Sequence, residues 1–186
     1  KNVLKYDEVM NEQRKVIYRR RDQILDDADL RDDAIKELTH AIEGVIGRYC
    51  PSDYVEEWDV EGLMNDLANF WPIEESTTAD VGKCVSTDEL YERLMAEALG
   101  FYEQRETDLG SDNMRELERQ VMLQIIDQHW REHLHEMDHL QEGIHLRAYG
   151  QKDPLVEWQR EGFEMFGAMM QTIAEDFVKY VMHAQI

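Results

Sequence analysis

The last third of the chain carries an almost unbroken helical period, and this constrains the fold more than any other feature. From Asn113 to about Leu146, Leu117, Val121 and Ile125 form one row, and Met122, Ile126, Trp130, Leu134, Met137, Leu140 and Ile144 continue the stripe. Apolar residues at three- and four-residue steps describe one face of a helix. At ~1.5 Å per residue this one is roughly 50 Å long. A short link around Gly150 follows, then Asp153 and Pro154, which read as an N-cap and a first-turn proline. Beyond it Phe163, Phe166, Met170, Ile173, Phe177 and Tyr180 alternate three and four apart, a coiled-coil-like seam. Two long helices joined by so short a link must run antiparallel. The sequence therefore predicts a helical hairpin with one exposed tip and a core built on Trp130, Leu134, Phe163 and Phe166.

The N-terminal stretch repeats the theme. Val3, Met10, Ile17 and Ile24 recur every seven residues with Tyr6, Val9 and Val16 beside them, which predicts a helix from Asn2 to Ala28. It is expected to pack on the hairpin near its base. The acidic residues Asp26, Asp27 and Asp29 suit the end of this helix and the cap of the next. From 32 to 110 the pattern is broken into short helices by turns at Cys50–Pro51 and Trp71–Pro72. Ser86 and Glu89 fit a capping box ahead of a helix whose face is Leu90, Leu94, Ala98 and Tyr102. No strand-period segment occurs. The predicted fold is all-α: a long helix over 1–31, a small irregular helical domain over 32–110, and a long antiparallel two-helix hairpin over 111–186.

Composition removes several function classes. There are 20 basic and 41 acidic residues, a net charge of -21. Such a surface repels polyanions, so nucleic acid is not an expected partner. The basic run Arg14–Arg21 reads as a helix face paired with acids rather than a nucleic-acid or lipid patch, with Glu12, Asp22 and, chiefly, domains outside this stretch as the expected partners. The two cysteines, Cys50 and Cys84, form no disulfide framework and read as cytosolic thiols. No run is long and apolar enough to span a bilayer. The chain opens on Lys1 directly into an amphipathic pattern, which reads as a cut inside a longer protein. No Gly-x-x-x-x-Gly-Lys-Ser/Thr phosphate loop is present.

One motif points elsewhere. His135, Glu136 and His139 spell H-E-x-x-H, which in zinc hydrolases sets two imidazoles on one helical face with Glu as general base. A metal-dependent hydrolase built on this stretch is an alternative reading. So is a free-standing helical adaptor. The stretch is short, and His129 and His133 repeat the same i, i+4 spacing, so solvated or interhelical histidines with no metal are the default. Tyr149, beside Gly150, reads equally as a loop aromatic packing on its own helices or as one that grips passing side chains.

Four stretches carry a family resemblance. Gly143 to Pro154, GIHLRAYGQKDP, resembles the tip of the two-helix finger of the SecA preprotein translocase motors. Leu123 to Asp138, LQIIDQHWREHLHEMD, resembles the finger's first helix, and Glu157 to Phe166, EWQREGFEMF, the start of its second. Leu4 to Tyr18, LKYDEVMNEQRKVIY, resembles the start of the long scaffold helix. The middle, which matches only in position and rough length, would be the helical wing. The resemblance implies a non-enzymatic part of an ATPase that exports unfolded preproteins through the SecYEG channel. The finger would contact channel and polypeptide through Tyr149, flanked by Arg147 and Lys152, and would regulate ATP hydrolysis elsewhere in the protein. ATP and Mg would belong to the full-length motor, and no cofactor to this fragment. The ATPase and preprotein-binding domains of the same protein would be its intramolecular partners. The implied location is the cytoplasm and the cytoplasmic face of the inner membrane. Contact with anionic lipid and formation of a homodimer are compatible with this.

Overall fold

The computed structural model describes residues 2–27, 29–147, 150 and 153–185. Among them are seven α-helices and no strand: α1 (Asn2–Asp26), α2 (Arg31–Tyr49), α3 (Val60–Leu67), α4 (Glu75–Val81), α5 (Thr87–Leu109), α6 (Ser111–Arg147) and α7 (Pro154–His183), with one 3-10 turn at Val55–Glu57. The all-α expectation holds.

Helix starts follow local side-chain chemistry. Asp29 accepts the Arg31 N–H at 3.1 Å, and Asp59 accepts that of Gly62 at 2.9 Å. Each pairs one of the amides that a first helical turn leaves open. Ser86 Oγ accepts the Glu89 N–H at 3.2 Å, as a capping box requires, but the Glu89 carboxylate reaches back to Val85 N–H rather than to Ser86. Asp53 adds a second anchor by accepting both the N–H and the hydroxyl of Thr87. Between α5 and α6 only Gly110 is non-helical. Its φ of +89° is one that side-chain-bearing residues resist, so a single glycine turns the chain there.

Contacts gather the chain into two compact units, 1–27 with 122–173 and 28–121 with 174–186. In the second unit α2 packs on α3 and α5, and α4 packs on α5. Leu38, Ile42, Leu63, Leu67, Leu90 and Leu94 fill the core, with Phe70, Trp71 and Phe177. One polar cluster is buried among them. The Tyr102 hydroxyl donates to Glu118, and Arg115 donates to Glu118, to Glu106 and to the Tyr102 oxygen. Burial pushes the Glu118 carboxyl above the ordinary carboxylate range, against the pull of these donors. Burial and the adjoining carboxylate push the Tyr102 phenol up as well.

In the first unit α1 joins the two hairpin helices. His133 meets Phe166, Met137 lies at Gly162, and Ile144 shares a cluster with Trp158, so α6 and α7 are antiparallel. Along α1, Tyr6 faces His145 and the Trp158 indole, Gln13 faces His133, and Arg21 pairs with Asp127 at 2.9 Å. Helix α1 thus runs antiparallel to α6 and parallel to α7. It reaches the tip end of the hairpin, not only the base where it was expected.

The seam of α7 is also displaced from its expected register. Phe163 is 77% exposed and is not core, and Tyr180 is exposed too. Trp158, Gly162, Met169, Ile173 and Phe177 are the buried row, with Phe166 and Met170 half-buried. Trp130 is buried and Leu134 half-buried. The reason is Gly162. A Cβ there would sit 3.0 Å from Met137 Cε, so the row uses a hydrogen where a hydrophobic pattern seeks a side chain.

Two contrasts test this packing. Trp158→Ala should lower stability by ~3–5 kcal/mol, while Phe163→Ala, five residues on, should change it by less than ~0.5 kcal/mol, both read from urea unfolding. Equal losses would return Phe163 to the core. Tyr102→Phe should cost ~1.5–3 kcal/mol, because it strips a donor from a buried carboxylate.

Candidate polypeptide-contact tip

The tip is framed by two helix ends. Helix α6 runs without interruption through Gly143, which is not a turn residue, and ends at Arg147. Its last turn divides sharply: Ile144 is fully buried, while Leu146 is 74% exposed. Gly150 N–H donates to the Arg147 carbonyl at 2.8 Å, prolonging the hydrogen-bonding of the helix end. A Cβ on Gly150 would approach that carbonyl to 3.2 Å, a close approach that favours glycine here. On the returning side Asp153 Oδ1 accepts the Leu155 N–H at 3.0 Å, and Pro154 opens α7. Cap and first-turn proline stand where the sequence predicts them.

Of the three contact residues implied by the resemblance, Arg147 alone is among the described residues. Its guanidinium donates to Glu161 at 2.6 Å, an ion pair that ties the end of α6 to the second turn of α7. Arg147 is half-exposed, so this pair positions the side chain while leaving part of it open. Tyr149 and Lys152 lie outside the described residues. Sequence reading overlooked two apolar side chains beside the tip, Leu146 and Val156, the latter 54% exposed. Their signal was that both fall off the core stripe while remaining large and aliphatic.

Below the tip, Trp158 Nε1–H donates to the Tyr6 carbonyl at 3.1 Å, with the two rings 5.7 Å apart. Phe163 stands on the wall of an open apolar groove with Val9, Val16 and Phe166, rimmed by Lys5, Glu8 and Glu12. The basic run of α1 finds local partners: Arg14 bonds Asn11, Lys15 pairs with Glu12, and Arg21 with Asp127.

The H-E-x-x-H residues His135, Glu136 and His139 are all exposed on α6. Among the described residues no group of three or more His, Cys, Asp or Glu side chains is arranged to hold a metal ion. None of these helices is long and apolar enough to cross a membrane.

Comparison with known proteins decides the family. The model of the SecA wing and scaffold domain matches residues 1–185. The chain belongs to the SecA wing and scaffold family. It is 44% identical over 196 residues to a protein translocase subunit SecA of Rhodococcus opacus, covering 100% of this chain and 20% of that protein. It is 45% identical over 192 residues to one of Frankia casuarinae, covering 100% of this chain and 19% of that protein. With one of Pelotomaculum thermopropionicum it shares 43% over 188 residues, covering 100% and 21%. The chain thus spans about a fifth of the length of the SecA relatives it matches. The quoted stretches are those of a wing-and-scaffold segment.

The cap and the ion pair at the tip should differ in weight. Asp153→Ala should cost ~0.5–2 kcal/mol, the usual loss of an N-cap. Arg147→Ala should cost at most ~1 kcal/mol, because a half-exposed pair is screened by solvent. Urea midpoints of the two variants check this, and the reverse order would give Arg147 a structural role.

Proposed function

We propose that this chain is the scaffold, wing and two-helix-finger portion of a SecA motor that exports preproteins through the SecYEG channel. In this reading the finger tip touches both the channel and the unfolded polypeptide, with Tyr149 as the gripping ring and Arg147 and Lys152 beside it. Family membership across residues 1–185 supports the reading most. The hairpin supports it physically: two long antiparallel helices end together, with Leu146 and Val156 exposed beside their ends. A ring can touch side chains of many sizes without demanding one hydrogen-bond partner, which suits contact with a varying sequence.

The chain itself would catalyse nothing. Gly162 and Gly167 stand at the spacing of a phosphate loop, but Ala168 follows where lysine is needed, and both glycines lie inside α7. A phosphate loop needs backbone N–H groups free to cradle phosphate, whereas those of a helix interior are already bonded. ATP and Mg would therefore be held in the remaining four-fifths of the longer protein, whose ATPase and preprotein-binding domains this region would brace. It would work at the cytoplasmic face of the inner membrane.

The test is translocation by full-length protein carrying Tyr149→Ala, with ATP turnover measured alongside. Transport per ATP should fall severely, and a bulky hydrophobe in place of the tyrosine should restore part of it. Unchanged transport per ATP in Tyr149→Ala would show the ring to be loop packing only.

A further inference from the structure

One buried polar chain crosses all three helices of the first unit. Gln13 Nε2 donates to the Gly162 carbonyl of α7 at 3.1 Å. Because that carbonyl can only accept, the Gln13 amide has one permitted orientation, with Oε1 turned toward α6. There it meets His133 Nε2 at 2.7 Å. Oε1 also can only accept, so His133 must carry its proton on Nε2. The chain of donors runs from α6 through α1 to α7. Gln13 and His133 are both buried, at 6% and 2% exposure.

The other imidazole nitrogen, Nδ1, is buried with no hydrogen-bond partner among the described residues. The rings of Trp130 and Phe166 lie beside the imidazole, at 5.6 and 5.8 Å between centroids. In the neutral ring Nδ1 is a bare lone pair, a tolerable orphan. Protonation would turn it into a charged donor buried between two aromatic rings, with no acceptor for it among the described residues. The charged groups on adjoining turns offer little help. On α1 Glu12 pairs with Lys15, and Arg14 bonds Asn11. On α6 Glu132 lies 3.6 Å from His129 Nδ1, and Glu136 is exposed. On α7 Glu161 is engaged by Arg147 and Arg160.

We propose that the His133–Gln13–Gly162 relay is a proton-controlled latch: with His133 neutral it fixes the register of α1 on the two hairpin helices, and protonation of His133 releases α1. Burial holds the imidazole below its ordinary value, in the direction this requires. The linkage has a definite sign. When α1 is released, His133 meets water and regains its ordinary value near ~6.5. Below that pH the released state takes up the proton first, so acid favours release, by up to about tenfold per pH unit. The effect levels off once the latched form is itself protonated. Above the ordinary value the latch is fully closed.

The experiment follows the imidazole nitrogens of His133 by NMR while hydrogen exchange reports protection of the α1 amides around Gln13, corrected for intrinsic exchange, from about pH 8 to about pH 5. The expected result is an Nε2–H tautomer at neutral pH, titration of His133 below the ordinary imidazole range, and α1 protection that falls as pH drops through that range. His133→Gln keeps a donor for Gln13 Oε1 but cannot take up a proton. Its α1 protection should stay flat across that range. The unsubstituted chain alone decides the matter if the variant misfolds. An Nδ1–H tautomer, titration of His133 at the ordinary imidazole value, or α1 protection independent of His133 would each overturn the latch.

Discussion

The close approach of three helices at Gly162 organises the first unit. Met137 from α6 and Val9 and Gln13 from α1 all come within van der Waals reach of the space a side chain would occupy there. Helices that meet at a glycine pack backbone against side chain, and such contact leaves the carbonyl of α7 accessible to Gln13. The polar relay therefore depends on the missing side chain. So does the placing of Trp158, one turn earlier, which fills the space beside Tyr6 and Ile144. A large residue at 162 would separate the helices and open both the relay and the aromatic cluster together.

The second unit answers the same problem of joining helices by a different means. Its core is apolar in the ordinary way, yet Glu118 lies buried at the contact of α5 and α6. A lone carboxylate would be costly there. Two donors, Tyr102 and Arg115, surround it, and Arg115 also reaches Glu106. Such a cluster adds less net stability than its number of bonds suggests, because each group has left water. Its effect is selective: a slip of α6 by one residue would leave charges unpaired, whereas an apolar contact would tolerate it. At the far end of α7, Arg105 donates to the Val181 and Ala184 carbonyls, pairing acceptors that a helix end leaves open.

Much of this was legible in the sequence, and the failures have physical causes. The hairpin, the Asp153–Pro154 start, the Ser86 cap and the burial of Trp130 all follow from period and local chemistry. The α7 seam was misplaced because Phe163 advertises burial by its type, while the buried position beside it is a glycine. Hydrophobic pattern counts side chains and is blind to a contact made by their absence. On α1, Val3 and Val16 repeat at the right spacing yet are exposed, whereas Gln13, polar by type, is buried. Gln13 and His133 became core residues only because each supplies what the other lacks, and such pairing across 120 residues has no local signal. Compactness likewise cuts across chain order: α6 and α7 each contribute to both units, which no change of composition marks.

The course of α1 bears on what a hairpin tip can do. Tyr6 sits against His145 and Trp158, within about a turn of each helix end at the tip. The hairpin is therefore supported by a third helix over nearly its whole length within this unit, and little of it projects unsupported. A long two-helix projection bends easily, since each helix is braced only by its partner. A third helix along the groove turns it into a bundle, with the stiffness of packed side chains. Force on the tip from a moving polypeptide, in the function proposed, would then pass into α1 through Tyr6, Gln13 and Arg21 instead of being lost in bending. The same contacts make α1 the element that must shift if the tip is to change position, and Gln13, the only polar one of them that is buried, stands midway between the other two.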